Sequence, residues 1–411
     1  MLNRKPRVGV FGLGRGSAYA KLCRAAGIEI VAACDKGISM FANIKDVVEP
    51  DAAFYTDFDE FIKHDMDAVI LCNFFSEHTP YAIKAMKAGK HVLSETQAAI
   101  TLAQCGELCT AVEETGMKYM LAENYPFMRG PSEMDRIYKS GIIGDVVFAE
   151  GEYVHPISPK EMEGLAPGDN HWRRHNPRIY YLTHSLAPLM NITDAHPVRV
   201  NADTVLLKDD SLREYDEANH KKTVEGAGIL LLQMDNGAVF RISGSNNFAP
   251  HGNWYRLACS NGSVETKRGN INKVFLDYGT WDRPVGVTEA HQEIDAKWAE
   301  LNDVASNAGH GGGDFWVMYR FMRYLRYDEK PYFDVYNAVS LSATAIMGYR
   351  SALSGGQPFD IPDFRNPEIR RFYADDNFKP FPDYWTGEGK TLPSNAHQDL
   401  FDEYLAEREE V

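Results

Sequence analysis

Residues 7–24 leave few folds open to this chain. An apolar run (Val8, Val10, Phe11) enters Gly12, Gly14 and Gly16, and Ala18, Leu22 and Cys23 then recur at helical spacing. That order reads as strand, glycine turn, helix. Such a turn lets the backbone approach a pyrophosphate, while the helix N-terminus offers free N–H groups and the positive end of its dipole. Arg15 and Ser17 belong to the same turn. Ser17 stands where a G-x-G-x-x-G motif has its third glycine, which falls one place early at Gly16. A tight turn with no nucleotide is the plainer alternative. Residues 28–34 form a second apolar run, ending at Asp35. A carboxylate about twenty residues past the glycines can accept hydrogen bonds from an adenosine ribose and repels a 2′-phosphate. NAD is therefore expected in preference to NADP, with Lys36 pulling the other way.

The next stretch keeps alternating. Asp57 with Glu60 reads as the cap of a short helix. Residues 67–72 make a buried strand ending at Asn73, and strand ends of this kind collect ligands, so Asn73 and nearby His78 are candidate cofactor contacts. Thr79-Pro80 reads as N-cap and first residue of a helix running to Gly89. Residues 90–95 give a strand, Thr101 and Gln104 a capping box, Gly116 a helix stop, and 118–122 a strand leading to Glu123-Asn124. The pattern predicts α/β structure with a doubly wound parallel sheet.

Past about residue 145 the periodicity becomes that of antiparallel strands. Residues 145–153 alternate; 229–234 and 238–242 flank Asn236-Gly237, and 257–259 and 263–266 flank Asn261-Gly262. A large, mostly antiparallel open sheet is expected, able to face helices on one side and a partner subunit on the other. Helices are expected at about 314–327, with Asp314 as N-cap, and 335–354, stopped by Gly355-Gly356. The aromatic stripe in 315–327 suits core and interdomain packing. The expected divisions are a cofactor-binding domain at 1–124, a substrate-binding and oligomerisation domain at 125–356, and an extended tail at 357–411.

Composition narrows the partners. A formal charge of −15 disfavours nucleic acid and anionic membrane surfaces. No apolar run approaches the ~18 residues of a membrane span, and no signal peptide is expected ahead of the first strand. Six cysteines are scattered without C-x-x-C spacing, which suits reduced thiols in the cytoplasm. His155, His171, His251 and His291 lack partners at ligand spacing, so no metal site is expected. A homo-oligomer, dimer or tetramer, is expected from the open sheet.

The glycine turn, the acidic end of the second strand, A-G-K-H-V-L-S-E at 88–95 and the antiparallel second half together resemble the Gfo/Idh/MocA family, over about residues 6–360. The resemblance implies a Rossmann domain, a nicotinamide cofactor, and sugar or cyclitol substrates held between two domains. Two departures matter. The family's ordinary dehydrogenases carry E-K-P, with the lysine in proton transfer; here the stretch is Glu95-Thr96-Gln97. They also carry D-x-x-x-H; here residues 180–184 keep His184 and have Tyr180 in place of the aspartate. Thr96 cannot do a lysine's acid–base work.

One branch has similar substitutions, the NAD-dependent α-N-acetylgalactosaminidases, with E-x-P-A-A, E-N, H-W-R, Y-P-T-H and G-H-G-G-M-D-F in order. The chain has Glu95-Thr96-Gln97-Ala98-Ala99, Glu123-Asn124, His171-Trp172-Arg173, Tyr181-Leu182-Thr183-His184 and residues 309–315 (G-H-G-G-G-D-F). Gln97 and Leu182 replace prolines, and Gly313 replaces methionine. That resemblance implies oxidation of a glycoside at carbon 3, loss of the carbon 2 proton, elimination of the aglycone, water addition and re-reduction, on tightly bound NAD without net redox change. Candidate bases are His184 and Tyr181, with Arg173 as oxyanion or substrate clamp and Glu95 as a substrate- or nicotinamide-side carboxylate. Arg174 is an alternative to Arg173. Glu123, Trp172, His310 and an aromatic at Tyr125 or Phe127 are candidate substrate contacts; Asn124 is placed on the cofactor side. Each has a plainer reading: packing for Tyr181 and His184, surface charge for Arg173, a flexible helix entry for His310. A net sugar dehydrogenase and a non-catalytic nucleotide or sugar sensor are the competing functions.

Overall fold

The computed structural model describes residues 2–166, 171–174, 176–206, 225–247, 250–279 and 283–380. They form two compact units. The first holds residues 1–129, 298–339 and 363–376, the second 130–297, 340–362 and the remainder. The units interleave along the chain, where the sequence pattern suggests three consecutive segments. Of the expected tail, 381–411 lies outside the described residues.

In the first unit, β1 (Arg7–Phe11), β2 (Glu29–Cys34), β3 (Ala53–Tyr55), β4 (Ala68–Leu71), β5 (His91–Ser94) and β6 (Tyr119–Leu121) make a parallel sheet of order β3-β2-β1-β4-β5-β6. The order reverses direction between β1 and β4, the switch point where open α/β sheets bind ligands. Central strands are buried along their length, as runs such as Val8, Val10 and Ile70 require. The three-residue β3 carries no usable periodicity and is absent from the sequence reading. The helix Gly313–Tyr327 joins the core of this unit through Phe315, Val317, Met318 and Phe321. Its Tyr319 and Tyr324 are partly buried against the same core.

Local signals mostly hold. Asp57 accepts from the N–H groups of Asp59 and Glu60. Thr101 accepts from Gln104 N–H at 3.1 Å, and Gly116 ends that helix in the left-handed region. Thr79 is different: the helix is His78–Lys87, and the Thr79 hydroxyl donates to Ala98 O at 2.7 Å instead of capping. A tertiary acceptor has outcompeted the cap.

The helix Pro367–Phe372 is tied to this unit by a two-pronged ion pair. Arg370 Nη1 and Nη2 each lie 2.6 Å from the Glu113 carboxylate, which also accepts from the Tyr336 hydroxyl. These partners, Arg370 first, hold the Glu113 carboxyl down to about 2. A depressed carboxylate contributes stability above its ordinary value of 4.5 and loses it as pH falls towards 2. Amide exchange in 367–372 is thus expected to accelerate over that acid window, and Glu113→Gln to show the acid rate already at neutral pH. Glu113 is partly exposed, so the effect stays local.

The second unit contains a nine-stranded sheet among its described residues, in the order β14-β13-β12-β11-β7-β10-β9-β8-β15. The strands are β7 (Val146–Val154), β8 (Pro197–Leu206), β9 (Glu225–Met234), β10 (Val239–Asn246), β11 (Gly252–Cys259), β12 (Gly262–Lys267), β13 (Asn270–Tyr278), β14 (His291–Asp295) and β15 (Phe359–Asp360). Every pairing is antiparallel except β7 with β10. β9 and β10 flank Asn236-Gly237 as read from sequence, with Gly237 at φ 86°. At the second hairpin Cys259 pairs with Gly262, so the turn is Ser260-Asn261, one residue earlier than the Asn-Gly pair suggests. The helix Thr183–Thr193 lies on β7, where a Cβ at Gly151 would come within 2.0 Å of Ser185 O.

Candidate active site

The glycine turn divides its labour by position. Gly12 has φ 86°, and a Cβ there would lie 2.4 Å from Cys72 O. A Cβ at Gly16 would meet Val10 at 2.7 Å, so Gly16 is the glycine that packs helix Gly16–Cys23 on β1 although it is one place early. Gly14 meets nothing closer than 3.9 Å, leaving its backbone open to a ligand. No side chain caps the helix N-terminus, and Ser17 Oγ donates to Gly14 O. Gly12→Ala is therefore expected to cost more than about 2 kcal/mol through clash and left-handed strain. Gly14→Ala should leave the urea midpoint unchanged and weaken nicotinamide-coenzyme binding at least tenfold in titration.

Asp35 closes β2. Its Oδ2 accepts from Leu13 N–H at 2.7 Å and Oδ1 from Gly37 N–H at 2.9 Å. Two bonds fill only part of a carboxylate's acceptor capacity, so it can still meet a ribose hydroxyl. At the end of β4, His78 is buried, with Nδ1 3.0 Å from Gln97 O and Nε2 3.2 Å from Asn73 O. Burial lowers its pKa. Both ring nitrogens face backbone carbonyls, so His78 ties the Asn73 and Gln97 segments together and presents no nitrogen outward.

At the carboxyl edge of β1, β5 and β6 a charged network forms that no local pattern reveals. Arg15 Nε lies 2.6 Å from Glu95 Oε1, and its two terminal nitrogens 2.9 and 2.6 Å from the Asp314 carboxylate. The guanidinium also sits 4.3 Å over the Tyr19 ring, whose hydroxyl donates to Glu95. Burial alone would raise both carboxyls; Arg15 for Glu95, and His310 followed by Arg15 for Asp314, outweigh burial and hold both below the usual range. Arg15 is thus spent on two carboxylates, where the sequence suggests a cofactor contact. Asp314 accepts further from Asn124 Nδ2 at 2.7 Å and pairs with His310 Nδ1 at 3.0 Å. It is not the N-cap: the helix begins at Gly313, and the Asp314 carboxylate is turned to Arg15. Asn124 Oδ1 and both side-chain polar atoms of Gln97 are buried with no hydrogen-bond partner. Orphaned polar atoms beside an open glycine turn fit a polar ligand along this edge.

Glu123 is fully buried, and Oε1 accepts from Tyr125 N–H at 3.2 Å, which supports the turn and offers no open carboxylate. Between the two aromatic alternatives, Phe127 belongs to the core, whereas the Tyr125 ring lies 6.1 Å from that of His310.

The second unit gathers the remaining candidates into a chain of rings. Trp172 stacks on Tyr181 at 6.5 Å and 9°. Tyr181 and Tyr153 each stand edge-on to His184, at 5.2 and 4.9 Å. Beyond Tyr153 come His155 and His251, with rings 4.8 Å apart. His184 sits in the first turn of helix Thr183–Thr193, its carbonyl held by the Tyr255 hydroxyl. Arg173 lies 4.5 Å over the Trp172 ring, which anchors it. Burial, His251 and then Arg173 push His155 down to about 4. Tyr153 is not singled out by the sequence, because alternation on β7 marks a strand without saying what each face meets, and His155 enters the sequence reading only as a metal-ligand candidate.

Three family models match the chain. A family model described as "Oxidoreductase family, NAD-binding Rossmann fold" matches residues 6–123, and "GFO/IDH/MocA C-terminal domain" matches 132–265. The chain belongs to the Gfo/Idh/MocA family. It is an enzyme of that type, with an NAD-binding Rossmann domain. Within the family it lies on the branch resembling the glycosyl hydrolase 109 proteins: the model "Glycosyl hydrolase 109, C-terminal domain" matches 232–370. A glycosyl hydrolase family 109 protein of Saccharopolyspora erythraea is 26% identical over 399 residues, covering 87% of this chain and 83% of the relative. One from Solibacter usitatus is 26% identical over 402 residues, covering 88% and 89%. Among solved structures, levoglucosan dehydrogenase in complex with NADH and L-sorbose has TM-score 0.73 at 16% identity, covering 88% of this chain and all of that one. An NAD-binding oxidoreductase from Klebsiella pneumoniae has TM-score 0.72 at 17% identity, covering 87% and 99%. These two likenesses concern the fold.

Proposed function

We propose that this enzyme cleaves a glycoside by transient oxidation at carbon 3, elimination of the aglycone, water addition and re-reduction. The observation that carries the reading is the glycosyl hydrolase 109 match over 232–370 on a chain with Thr96 where the family's ordinary dehydrogenases have lysine. The Gly12–Gly16 turn, Asp35 and the edge around Asn124 would hold NAD in preference to NADP, tightly enough to stay bound through a cycle that consumes none. Bound there, the coenzyme supplies a hydride acceptor and, later, a hydride donor.

The protein's residues do the rest. A ketone at carbon 3 acidifies the carbon 2 proton, and His184, held edge-on by two tyrosines, is the base assigned to take it. Arg173, held over Trp172, would offer a cation to the enolate oxygen. Tyr181, between Trp172 and His184, is the second proton-transfer candidate on this ring chain. The set suits a small carbohydrate. The open face of the sheet exposes Leu231 and Val239 beside Arg241 and Gln233, a mixed surface that would suit an oligomer formed through that face, and six free thiols, five of them buried, suit the reducing cytoplasm. Among the described residues no helix is long and apolar enough to cross a membrane.

Turnover in D2O tests the mechanism. Elimination and re-addition should leave one deuterium at carbon 2 of the released sugar, read by NMR. Cleavage with carbon 2 still fully protonated is incompatible with it.

A further inference from the structure

The residue that Thr96 replaces leaves a chemical gap: oxidising a carbinol needs a group to take the hydroxyl proton as hydride departs. We propose that His310, held by Asp314 at the carboxyl edge of the Rossmann sheet, is that group, resting on the reading of the enzyme given above. His310 comes from a segment some two hundred residues past β6, yet the chain returns it to the first unit beside the ends of β1, β5 and β6.

The geometry is that of a base with its orienting carboxylate. Asp314 Oδ2 is 3.0 Å from His310 Nδ1. The carboxylate is only 1% exposed, whereas the imidazole is 41% exposed. Arg15 and Asn124 fix the Asp314 carboxylate as an anion. An acceptor-only anion keeps a proton on Nδ1, so the neutral ring carries its lone pair on Nε2, the nitrogen Asp314 does not hold. The same Arg15 grips Glu95, the residue immediately before Thr96. Glu95, Arg15, Asp314 and His310 therefore form one connected chain from the position next to the absent lysine to an accessible imidazole. The loop is clamped: a Cβ at Gly313 would lie 2.4 Å from Asn124 O. His310 itself holds φ at 50°, uncommon for a non-glycine residue. A merely flexible helix entry has no need of either.

In the step proposed, Nε2 takes the proton as the carbon 3 O–H bond breaks, and the oxygen electrons form the C=O bond. The C–H electron pair leaves as hydride to the oxidised nicotinamide coenzyme, which is the oxidant. On re-reduction the imidazolium returns its proton to the carbon 3 oxygen, so protons and electrons balance over the cycle. Asp314 is a positioning residue.

The test uses His310→Gln and His310→Ala in the full chain. Both should bind NADH, followed by fluorescence, within about threefold of the unaltered protein, while turnover falls 10²–10⁴-fold, the range for losing a general base. Added imidazole should restore part of the His310→Ala turnover. Long-range 15N–1H spectra without coenzyme should show the His310 ring with its proton on Nδ1. Near-full turnover in His310→Gln, or a proton on Nε2 of the neutral ring, overturns the proposal. If the unaltered protein neither releases aglycone nor makes NADH, the functional reading has failed instead.

Discussion

His184→Ala is expected to reduce turnover by at least 10³-fold while coenzyme affinity stays within about twofold. Loss of a positioned acid–base group removes 10²–10⁴ in rate, and a phenol such as the neighbouring Tyr181, with an ordinary pKa of about 10, is a far poorer base at neutral pH than an imidazole. His184 is buried, fixed by edge contacts to Tyr153 and Tyr181, and its backbone carbonyl is held by Tyr255. Alanine removes the imidazole without touching that carbonyl bond, so the helix should stay seated. His184→Asn, which keeps a polar side chain but no base, should be as inactive as alanine. Coenzyme binding is the control, because every residue placed on the coenzyme lies in the other unit. Activity within tenfold of the parent would remove His184 from the mechanism.

Arg15→Met is expected to destabilise the first unit by about 3 kcal/mol, the lower end of the range for breaking a buried pair. The lower end applies because the Arg15 side chain retains 27% exposure. Methionine keeps much of the contact with Tyr19 but leaves Glu95 and Asp314 without their shared cation. Both carboxyls are held below their ordinary values. Such groups contribute stability above the unfolded carboxyl range and lose it as pH falls. The gap between Arg15→Met and the parent in urea titrations should therefore narrow below about pH 4, where the orphaned carboxylates can take protons. A constant gap from pH 7 to pH 3 would mean the loss is one of packing.

The sequence carried the architecture of this enzyme well because its signals are short-range. Asp57, Thr101 and Gly116 act within four residues of themselves, and Asn236-Gly237 joins neighbouring strands. What was not legible depends on distance along the chain. Arg15 and Asp314 are 299 residues apart, and each has a good local alternative: Arg15 as a cofactor contact in the glycine turn, Asp314 as an N-cap. Local rules chose those alternatives, and tertiary pairing overrode them. The available clue was the His-x-x-x-Asp spacing of His310 and Asp314, one helical turn apart in a glycine-rich stretch. Thr79 shows the same lesson on a smaller scale. Tyr181, Trp172 and His184 were found as motif members, but only the fold shows their rings in contact with one another and with Tyr153.

The most direct measurement mixes the purified protein and NAD⁺ with a panel of α- and β-aryl glycosides, following aglycone release and absorbance at 340 nm together. The account predicts aglycone over many turnovers with no net rise in NADH. NADH accumulating in step with substrate, and no aglycone, would contradict it and make the enzyme a net sugar dehydrogenase.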